Sequence, residues 1–460
     1  MTKVIAAFVA ICSVVAAAVF SGSPPVVARD PRPNVLLVLT DDQTLDTIAS
    51  GPPAMPWLQS QLADPLGHWL WFPRAVASTP LCCPSRSTIL TGRYDTQTGV
   101  RTNDDGPNLD DTNTLPVWLH DAGYTTGLVG KYLNFYPWGR EPFIPPGWDR
   151  WFAKENADES TAYYDYDVVD EGIVRHHGDA PSDYATDVLG AQALRFVQGA
   201  PAERPWFLYF TPNAPHLPWV PAPAHTGAFD GLEPPFPDLA TMNDVRGKPG
   251  YVRDLPAKTE ADRQAYIQDD RNERAMLLSV DAWFHQIVDA IAARGELDNT
   301  VIVFMGDNGY TLGLHRLDGK RYPYTPSVRV PFAIRTPWTQ ASTVADPVSN
   351  VDVAGTIAAL AGATPGLEQM GVDLGPAIRG DPLPSRPGVF LDWGGDAYAP
   401  AWQGVLTRGA TYIRNADGFR ELYRAGDTWQ VHNIADVARA RDSATRHRAL
   451  LASLSAEAQG

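Results

Sequence analysis

Cysteine is scarce in this chain, which has only Cys12, Cys82 and Cys83 among its 460 residues. Adjacent cysteines such as Cys82 and Cys83 can bond to each other only through a strained ring, so the chain has no disulfide framework. A thiolate zinc site is also disfavoured, because no histidine or further cysteine stands near the pair in the sequence. Cys12 lies within residues 1–28, which we expect to be removed, so Cys82 and Cys83 are the two thiols that remain. For this pair, a structural role in the core and a chemical role both remain open.

Positive charge is also in short supply. The chain has 37 lysines and arginines against 53 aspartates and glutamates, a formal net charge of −16. Such a chain lacks the basic face and the interleaved aromatic and basic residues of a nucleic-acid-binding protein, so no nucleic-acid partner is expected. If this protein handles an anion, it must gather cationic side chains locally.

Long apolar runs are missing beyond the N-terminus. Residues 1–28 predict a signal peptide, because Lys3 precedes an apolar run over 4–20 and the segment ends in Val-Val-Ala. The alternative is a retained membrane anchor, since the run approaches spanning length. A lipoprotein anchor at Cys12 is disfavoured, because Ile11 stands where a small residue is expected. We expect cleavage and a secreted protein with no stable membrane span.

The rest of the chain alternates between strand and helix patterns. Continuous β-branched and leucine runs of the buried-strand type occur at residues 34–39, 125–130, 206–211 and 300–306. Helices are predicted over 260–294 and 350–362, and another contains Leu189, Ala193 and Val197 on one face behind an Asp183 cap. This alternation predicts an α/β fold with a large, mixed but mostly parallel sheet sandwiched by helices.

The pattern changes after about residue 365. Short strand patterns at 389–393, 402–407, 410–415 and 419–424 precede one helix from about Ala438. We therefore expect three parts: the signal at 1–28, a large domain at 29–365, and a smaller antiparallel α+β subdomain at 366–460.

Polar side chains follow two of the buried strands. Asp41 and Asp42 come after the first strand, and Asp307 and Asn308 come after the strand at 300–306. Ligands of parallel sheets bind beyond the carboxyl ends of the strands. Four hard oxygen donors converging there are what calcium or magnesium requires. Either pair alone could equally be a helix cap or a turn, but the two together favour a metal site.

The segment LCCPSRSTILTG at residues 81–92 predicts a helix that begins beside the cysteines. Pro84 suits the first helical position, and Thr91 with Gly92 suits the end. Cys82 would then lie just before the helix, where free N–H groups and the positive end of the helix dipole attract an anion. This is a suitable place for a nucleophile that attacks an oxyanion ester.

The same residues carry a family resemblance. CCPSR at 82–86, followed by LTGR at 90–93, is similar to the signature of the type I sulfatases. The resemblance implies an alkaline-phosphatase-like fold, with residues 29–365 as the sulfatase catalytic domain. It implies that a formylglycine-generating enzyme oxidises Cys82 to Cα-formylglycine, which is the nucleophile once hydrated. Cys83 is then the variable position.

The resemblance also implies the other site residues. The family's calcium (Ca2+) ligands match four residues, and the modified Cys82 completes their set: Asp41, Asp42, Asp307 and Asn308. The residues that hold the sulfate and the leaving oxygen match four others: Arg86, Lys131, His216 and Lys320. These four would provide the local positive charge that an acidic protein needs for an anionic substrate.

Two positions depart from the family pattern. Leu133 stands where many sulfatases have a histidine, and Thr325 stands where relatives often have glutamate, a change that the sequence does not explain. GKYLN at 130–134 resembles the branch of N-acetylglucosamine-6-sulfatase and the heparan endosulfatases, which share the Lys-Tyr-Leu-Asn arrangement. We therefore expect an active enzyme. The aromatic segment at 134–177 offers rings that could stack on sugars, and the alternative, favoured for any single residue, is that these aromatics pack beneath a long loop.

Three functions are compatible with these observations. The leading one is a secreted sulfatase acting on a sulfated carbohydrate or another organic sulfate. The second is a phosphodiesterase or phosphonate monoester hydrolase that uses the same formylglycine, calcium and fold. The third is a non-catalytic glycan-binding protein in which Cys82 stays a thiol, and the intact metal-ligand positions disfavour it.

Overall fold

The computed structural model describes residues 30–155, 162–233 and 235–459. The predicted signal peptide at 1–28 lies outside these residues. Within the described ranges, none of the helices combines the length and the apolar character that a bilayer crossing requires.

The described residues form eighteen strands. In chain order they are β1 (Asn34–Thr40), β2 (Trp69–Trp71), β3 (Ala75–Val76), β4 (Thr125–Gly130), β5 (Arg150–Lys154), β6 (Tyr166–Asp170), β7 (Ile173–His177), β8 (Trp206–Thr211), β9 (Thr300–Gly306), β10 (Thr311–Leu312), β11 (Asp318–Gly319), β12 (Phe332–Arg335), β13 (Ser342–Thr343), β14 (Val348–Ser349), β15 (Val389–Trp393), β16 (Trp402–Leu406), β17 (Ala410–Asn415) and β18 (Arg420–Arg424).

Thirteen α-helices accompany the strands in the same part of the chain. They are α1 (Asp46–Ala49), α2 (Pro56–Ala63), α3 (Cys82–Thr91), α4 (Asp95–Thr98), α5 (Leu115–Asp121), α6 (Ala185–Gly199), α7 (Leu239–Met242), α8 (Gly250–Arg253), α9 (Glu260–Ala293), α10 (Thr325–Val328), α11 (Val353–Ala361), α12 (Gly375–Ile378) and α13 (Arg441–Gln459).

The main sheet has ten strands in the order β13-β2-β12-β9-β1-β8-β4-β5-β6-β7. Its centre, from β9 through β1, β8 and β4 to β5, is parallel. The pairs of β12 with β9, β5 with β6 and β6 with β7 are antiparallel. The prediction of a large, mixed but mostly parallel sheet is therefore confirmed, and three predicted strands coincide with β4, β8 and β9.

Helices cover both faces of the sheet, and each face has its own apolar core. Leu37 of β1 packs in a cluster with Ile89 of α3 and Ile357 of α11. Its neighbour Leu36 packs in a second cluster, with Phe284 of α9. Successive side chains of a strand point to opposite faces. Burial on both faces therefore explains why the central strands are continuous apolar runs rather than alternating ones.

The helix boundaries differ from the predicted ones in places. The prediction of an Asp183 cap is wrong, because Tyr184 precedes α6 and Asp183 ends a short 3₁₀ turn. The long helix α9 agrees with the prediction, and its start is capped by Thr259, whose hydroxyl accepts a 3.2 Å hydrogen bond from the Asp262 amide. The helix α11 ends, as predicted, at Gly362 with a φ of 66°.

The C-terminal part is a separate antiparallel sheet in the order β15-β16-β17-β18, with α13 packed on it. This confirms the predicted smaller antiparallel subdomain. Trp393 and Trp402 of this sheet share an apolar cluster with Leu317 and Tyr324 of the larger part. The subdomain is therefore fixed beside the segment that carries Lys320.

Gly130 ends β4 immediately before Lys131. Its φ is +124°, and a Cβ atom there would lie 1.9 Å from the carbonyl oxygen of Thr211 on β8. An alanine would therefore be strained and would also push β4 away from β8. We expect Gly130→Ala to lower the free energy of unfolding by about 2 kcal/mol or more, measured by thermal and denaturant unfolding.

The matched control is Gly199→Ala at the end of α6, where a Cβ atom would meet nothing within 4 Å. This variant should unfold like the unchanged protein. Equal stability of the two variants would contradict the requirement for glycine at position 130.

Candidate active site

The acidic residues of the site meet at the carboxyl edge of the sheet, where β1 and β9 end side by side. Asp41 and Asp42 follow β1, Asp307 and Asn308 follow β9, and none of the four is more than 3% exposed. The Asp42 amide donates to Asp307 Oδ1 at 3.0 Å, and Asn308 Nδ2 donates to Asp42 Oδ1 at 2.6 Å. The structure thus brings together two pairs that lie far apart in the sequence.

Cys82 lies at the N-terminus of α3 and faces this acidic group. The helix begins at Cys82 itself, two residues earlier than Pro84 predicted, and ends at Gly92 as expected. The Cys82 Sγ atom lies 3.5 Å from Asp41 Oδ1 and 4.0 Å from Asp42 Oδ1. The positive end of the helix dipole therefore points at the position where an anion would bind.

Cys83 contacts a different part of the molecule. Its amide donates to Asn103 Oδ1 at 3.0 Å, and its Sγ atom accepts from the Asn134 amide at 3.0 Å. The side chain belongs to the apolar core under α3. Cys83 therefore connects α3 to the segment after Lys131, whereas Cys82 shares a pocket with the carboxylates.

Two buried lysines lie on either side of Cys82. Lys131 Nζ is 2.6 Å from Asp41 Oδ2. Lys320 Nζ is 2.5 Å from Asp42 Oδ1 and 2.9 Å from Cys82 Sγ. These are the locally gathered cationic side chains that this acidic chain needs if it is to bind an anion.

Arg86 occupies the next turn of α3 and is fully buried. Its Nε atom donates to Asp307 Oδ2, and its Nη1 atom donates to the Lys131 carbonyl and to Thr211 Oγ1, each at 2.8 Å. Its Nη2 atom has no hydrogen-bond partner among the described residues and lies 3.7 Å from Asp41 Oδ2. Arg86 therefore holds three strand ends together, and its Nη2 group, with two N–H donors, is still available for a ligand.

His216 reaches the same group from the loop after β8. Its Nδ1 atom lies 2.6 Å from the Leu217 carbonyl oxygen, so Nδ1 carries the proton of that bond. Its Nε2 atom lies 3.4 Å from Asp42 Oδ2, and the side chain is nearly buried. The ring is thus oriented with Nε2 toward the pocket.

Burial and charge control the protonation states. Burial raises the pKa of the Cys82 thiol to about 12, so an unmodified Cys82 is protonated at neutral pH and is a weak nucleophile. Burial would also raise the pKa of Asp41, but the charges of Lys131, His216 and Arg86 outweigh it and hold that pKa well below its usual range. Burial would lower the pKa of Lys320, yet Asp42 holds it well above the ordinary lysine value.

The acidic group has the composition of a site for a hard cation. Ligand atoms of Asp41, Asp42, Cys82 and His216 lie within 4.8 Å of one another. Asp42 Oδ2 and Asn308 Oδ1 are buried and accept no hydrogen bond from any described residue. Buried oxygen acceptors without donors are costly unless a cation takes the place of the donors. Carboxylate and amide oxygens suit calcium, so the residues fit the ion implied by the family resemblance.

The structure shows what surrounds Leu133 and Thr325, the two residues that depart from the family pattern. Leu133 is buried in the apolar core and does not line the pocket. The amide and hydroxyl of Thr325 both donate to Gln430 Oε1, at 2.6 and 3.0 Å. Thr325 therefore links the Lys320 segment to the C-terminal subdomain.

Most aromatic side chains of the segment at 134–177 pack inside the protein, which is the alternative that the sequence favoured for any single one of them. Five of its aromatic side chains are at most 9% exposed: Tyr136, Trp148, Trp151, Tyr163 and Tyr166. They fill the core beside β4 and β5, which buries the large apolar area that they carry.

Sequence reasoning missed other residues around the pocket. Thr211 carried a weak signal, because it is the last residue of a buried strand and so lies at the same sheet edge as Asp41. Tyr398 is 76% exposed, and its ring lies 5.0 Å from the guanidinium carbon of Arg321, the residue after Lys320. No sequence pattern linked Tyr398 to the site, because it belongs to the C-terminal subdomain.

Comparison with known proteins identifies the family of this chain. The family model described as Sulfatase matches residues 33–363. The N-acetylglucosamine-6-sulfatase of Homo sapiens is 32% identical over 391 residues, which cover 81% of this chain and 69% of that protein.

Two solved structures share the fold. The protein BT4656, in complex with its substrate D-glucosamine-2-N,6-O-disulfate, superposes with a TM-score of 0.81 at 24% identity, over 93% of this chain and 98% of that one. The phosphonate monoester hydrolase of Agrobacterium radiobacter superposes with a TM-score of 0.70 at 20% identity, over 93% and 96% of the two chains. These likenesses confirm the expected alkaline-phosphatase-like fold.

The family model covers well over half of the chain, and the human relative is similar across most of both sequences. This chain therefore belongs to the sulfatase family and is a sulfuric ester hydrolase.

Proposed function

We propose that this enzyme hydrolyses a sulfate ester of a carbohydrate, with formylglycine made from Cys82 as the nucleophile and with calcium as its metal. The observation that carries the proposal is the position of Cys82. It begins a buried helix, and its Sγ atom lies 2.9 Å from the ammonium group of Lys320 and 3.5 Å from Asp41 Oδ1. Cys83 has no comparable surroundings, because its contacts are to Asn103 and Asn134.

The charges around Cys82 match those of the reaction. A sulfate ester keeps negative charge on its non-bridging oxygens, and cleavage moves further charge onto the leaving oxygen. Lys131, Lys320 and the free Nη2 atom of Arg86 are placed to stabilise that charge in a site shielded from water. Because these groups are already held by Asp41, Asp42 and Asp307, they need little reorganisation when the substrate binds.

His216 is suited to proton transfer to the leaving oxygen. The Leu217 carbonyl fixes the ring through Nδ1, which leaves Nε2 to hold a second proton on the pocket side. The same contact keeps the ring from turning, so the proton would be delivered at a defined position.

Formylglycine and calcium would supply the rest of the chemistry. Hydrated formylglycine offers two hydroxyl groups on one carbon, one for attack on sulfur and one whose deprotonation releases sulfate. Calcium, held by the oxygens of Asp41, Asp42, Asp307 and Asn308, would add a fixed positive charge beside the nucleophile. A formylglycine-generating enzyme is the partner that maturation requires, and export through residues 1–28 would place the enzyme outside the cytoplasm.

A carbohydrate substrate is supported by the relatives and by the rim of the pocket. The human relative is named for a sulfated aminosugar, and BT4656 was solved with one. Asp396 holds Tyr398 and Arg321 side by side. Its Oδ1 atom accepts a hydrogen bond from the amide of Tyr398 at 2.8 Å, and its Oδ2 atom lies 2.8 Å from Arg321 Nε. An open aromatic face beside a guanidinium and a carboxylate suits the apolar face and the hydroxyls of a sugar ring.

The other functions considered have less support. The likeness to the phosphonate monoester hydrolase, at 20% identity, concerns the fold alone. A non-catalytic glycan-binding role is set aside, because the chain belongs to a family of sulfuric ester hydrolases.

The central test is a substrate panel. We expect kcat/KM for sulfate release to be higher for 6-sulfated glucosamine and heparin fragments than for nitrophenyl sulfate, because contacts to the sugar contribute to transition-state binding. Phosphodiesters and phosphonate monoesters should be the poorest substrates. Cys82→Ala should lower all sulfatase activity by more than about a thousandfold. Preferential hydrolysis of the phosphorus esters would replace the proposed function with the second candidate.

Variants of Tyr398 test the proposed sugar contact in the same substrate panel. Tyr398→Ala should lower kcat/KM for the sulfated sugars by about tenfold and leave nitrophenyl sulfate unchanged, whereas Tyr398→Phe keeps the ring and should behave like the unchanged enzyme. A preference for nitrophenyl sulfate that neither variant alters would reject the carbohydrate assignment and leave the sulfatase assignment standing.

Modification of Cys82 can be tested directly. Protein from a host with the maturation enzyme should yield a tryptic peptide, residues 75–86, with one cysteine converted to formylglycine and Cys83 unmodified. Peptide mass spectrometry with fragmentation between the two positions distinguishes them. Two intact thiols in a fully active preparation would refute the proposed nucleophile.

Calcium binding gives a readout independent of activity. The purified enzyme should retain calcium and not zinc, because its ligands are all oxygen. Asp307→Asn, which removes one charge at nearly constant volume, should lower both the calcium content per chain and the activity. Asp298→Ala, at an exposed position just before β9, should change neither. Full activity after exhaustive chelation would contradict a catalytic cation.

A further inference from the structure

The catalytic segment that carries Lys320 is tied to the C-terminal subdomain by a buried glutamine. Gln430 Oε1 accepts hydrogen bonds from both the amide and the hydroxyl of Thr325, the first residue of α10. Gln430 is 3% exposed and lies more than one hundred residues further along the chain. Only four residues lie between Lys320 and Thr325, so this contact limits how the Lys320 segment can move.

The backbone of Gln430 is itself held under strain. Its φ is +51°, in the left-handed region that residues other than glycine rarely occupy. Such conformations persist only where the surrounding structure requires them. Here the Gln430 carbonyl accepts from Lys248 Nζ at 2.6 Å, and its amide donates to the Asp427 carbonyl at 3.0 Å.

Lys248 belongs to a buried polar network that reaches the same catalytic segment. Its side chain is fully buried, donates to the Tyr423 hydroxyl at 2.8 Å, and lies 4.2 Å from the ring centre of Tyr324. Glu421, 3.9 Å from Lys248, accepts from the hydroxyls of Tyr324 and Tyr423. Tyr324 and Thr325 are therefore both held by residues of the subdomain.

Stability alone does not account for this arrangement. A buried lysine–glutamate pair is often no more stabilising than apolar residues of the same volume, and a left-handed glutamine adds a further cost. What the network does is fix one end of the segment that carries Lys320. The other end is fixed by the bond from the Arg321 amide to the Pro80 carbonyl, two residues before Cys82.

We propose that Gln430 is a positioning residue for Lys320: by holding Thr325 it keeps the lysine ammonium against Cys82 and Asp42. A lysine side chain has many accessible rotamers, and a small shift of its backbone moves the ammonium away from the reacting atoms. The C-terminal subdomain is then part of the catalytic apparatus without touching the substrate sulfate. This inference rests on the proposed function of Lys320.

A matched pair of variants tests the hydrogen bond. Gln430→Met keeps the length of the side chain and removes the acceptor, whereas Gln430→Glu keeps an acceptor oxygen. With nitrophenyl sulfate as substrate, Gln430→Met should lower kcat about tenfold with little change in KM, and Gln430→Glu should retain most of the activity. Calcium content should be the same in both variants.

A double-mutant cycle separates positioning from a general loss of structure. In the Lys320→Ala background, Gln430→Met should cause no further loss of kcat, because the group it positions is gone. In the Lys131→Ala background, Gln430→Met should lower kcat by the same factor as in the otherwise unchanged enzyme. An additive loss in the Lys320→Ala background would overturn the proposal and leave the proposed function intact. An unchanged kcat in Lys320→Ala alone would overturn the role of Lys320 and, with it, this proposal, whereas the substrate panel decides the proposed function.

If Gln430→Met does not fold, the same cycle can be run from the other partner. Thr325→Val removes only the hydroxyl donor, and Thr325→Ser retains it. A loss of kcat in Thr325→Val that Thr325→Ser restores and that Lys320→Ala abolishes supports the proposal. Equal activity of the two Thr325 variants and the unchanged enzyme overturns it.

Discussion

The neighbouring, parallel placement of β1 and β9 is the constraint on which the rest of the structure depends. It puts Asp41, Asp42 and Asp307 together with Asn308 in a buried group. Carboxylates cannot be buried together without compensating charge. The cations that compensate come from three other elements: Arg86 from α3, Lys131 from the end of β4, and Lys320 from the segment after β11.

The same compensation produces the catalytic arrangement. The cations that balance the carboxylates bring an ammonium group to Cys82, since Lys320 Nζ lies 2.9 Å from its Sγ atom. In a protein with a formal net charge of −16, three cationic side chains are thereby gathered in one buried group. The residues that balance the buried carboxylates are the same ones to which the proposed function assigns catalytic roles, so loss of any member should affect both the stability of the site and its chemistry.

The C-terminal subdomain makes two kinds of contact with the segment that carries Lys320, one exposed and one buried. Its loop after β15 places Tyr398 beside Arg321, the residue after Lys320. Its buried network holds Tyr324 and Thr325 on the segment that carries Lys320. The first contact is exposed and suits recognition of a substrate. The second is buried and strained, which suits a role in holding geometry.

Much of the sheet and of its acidic edge could be predicted from the sequence, because the patterns that indicate them lie in neighbouring residues. Strands buried on both faces have continuous apolar runs, so β4, β8 and β9 were predictable residue for residue. Acidic residues at the ends of two such strands indicated a shared acidic group, because parallel strands end at a common edge. The helix signals around Pro84 and Gly92 placed Cys82 within two residues of its actual position in α3.

The tertiary structure decided what depends on contacts between distant segments. Trp151 and Tyr163 are buried, and the sequence favoured that for any single aromatic of the segment but could not say which elements they pack against. The bond between Thr325 and Gln430 joins residues 105 positions apart, and neither carries a local signal for the other. Periodicity and strand ends are encoded in neighbouring residues, and so the sequence by itself determined the sheet and its acidic edge. Which side chains then meet around Cys82 was decided only by the folded chain, because those contacts depend on how whole elements pack.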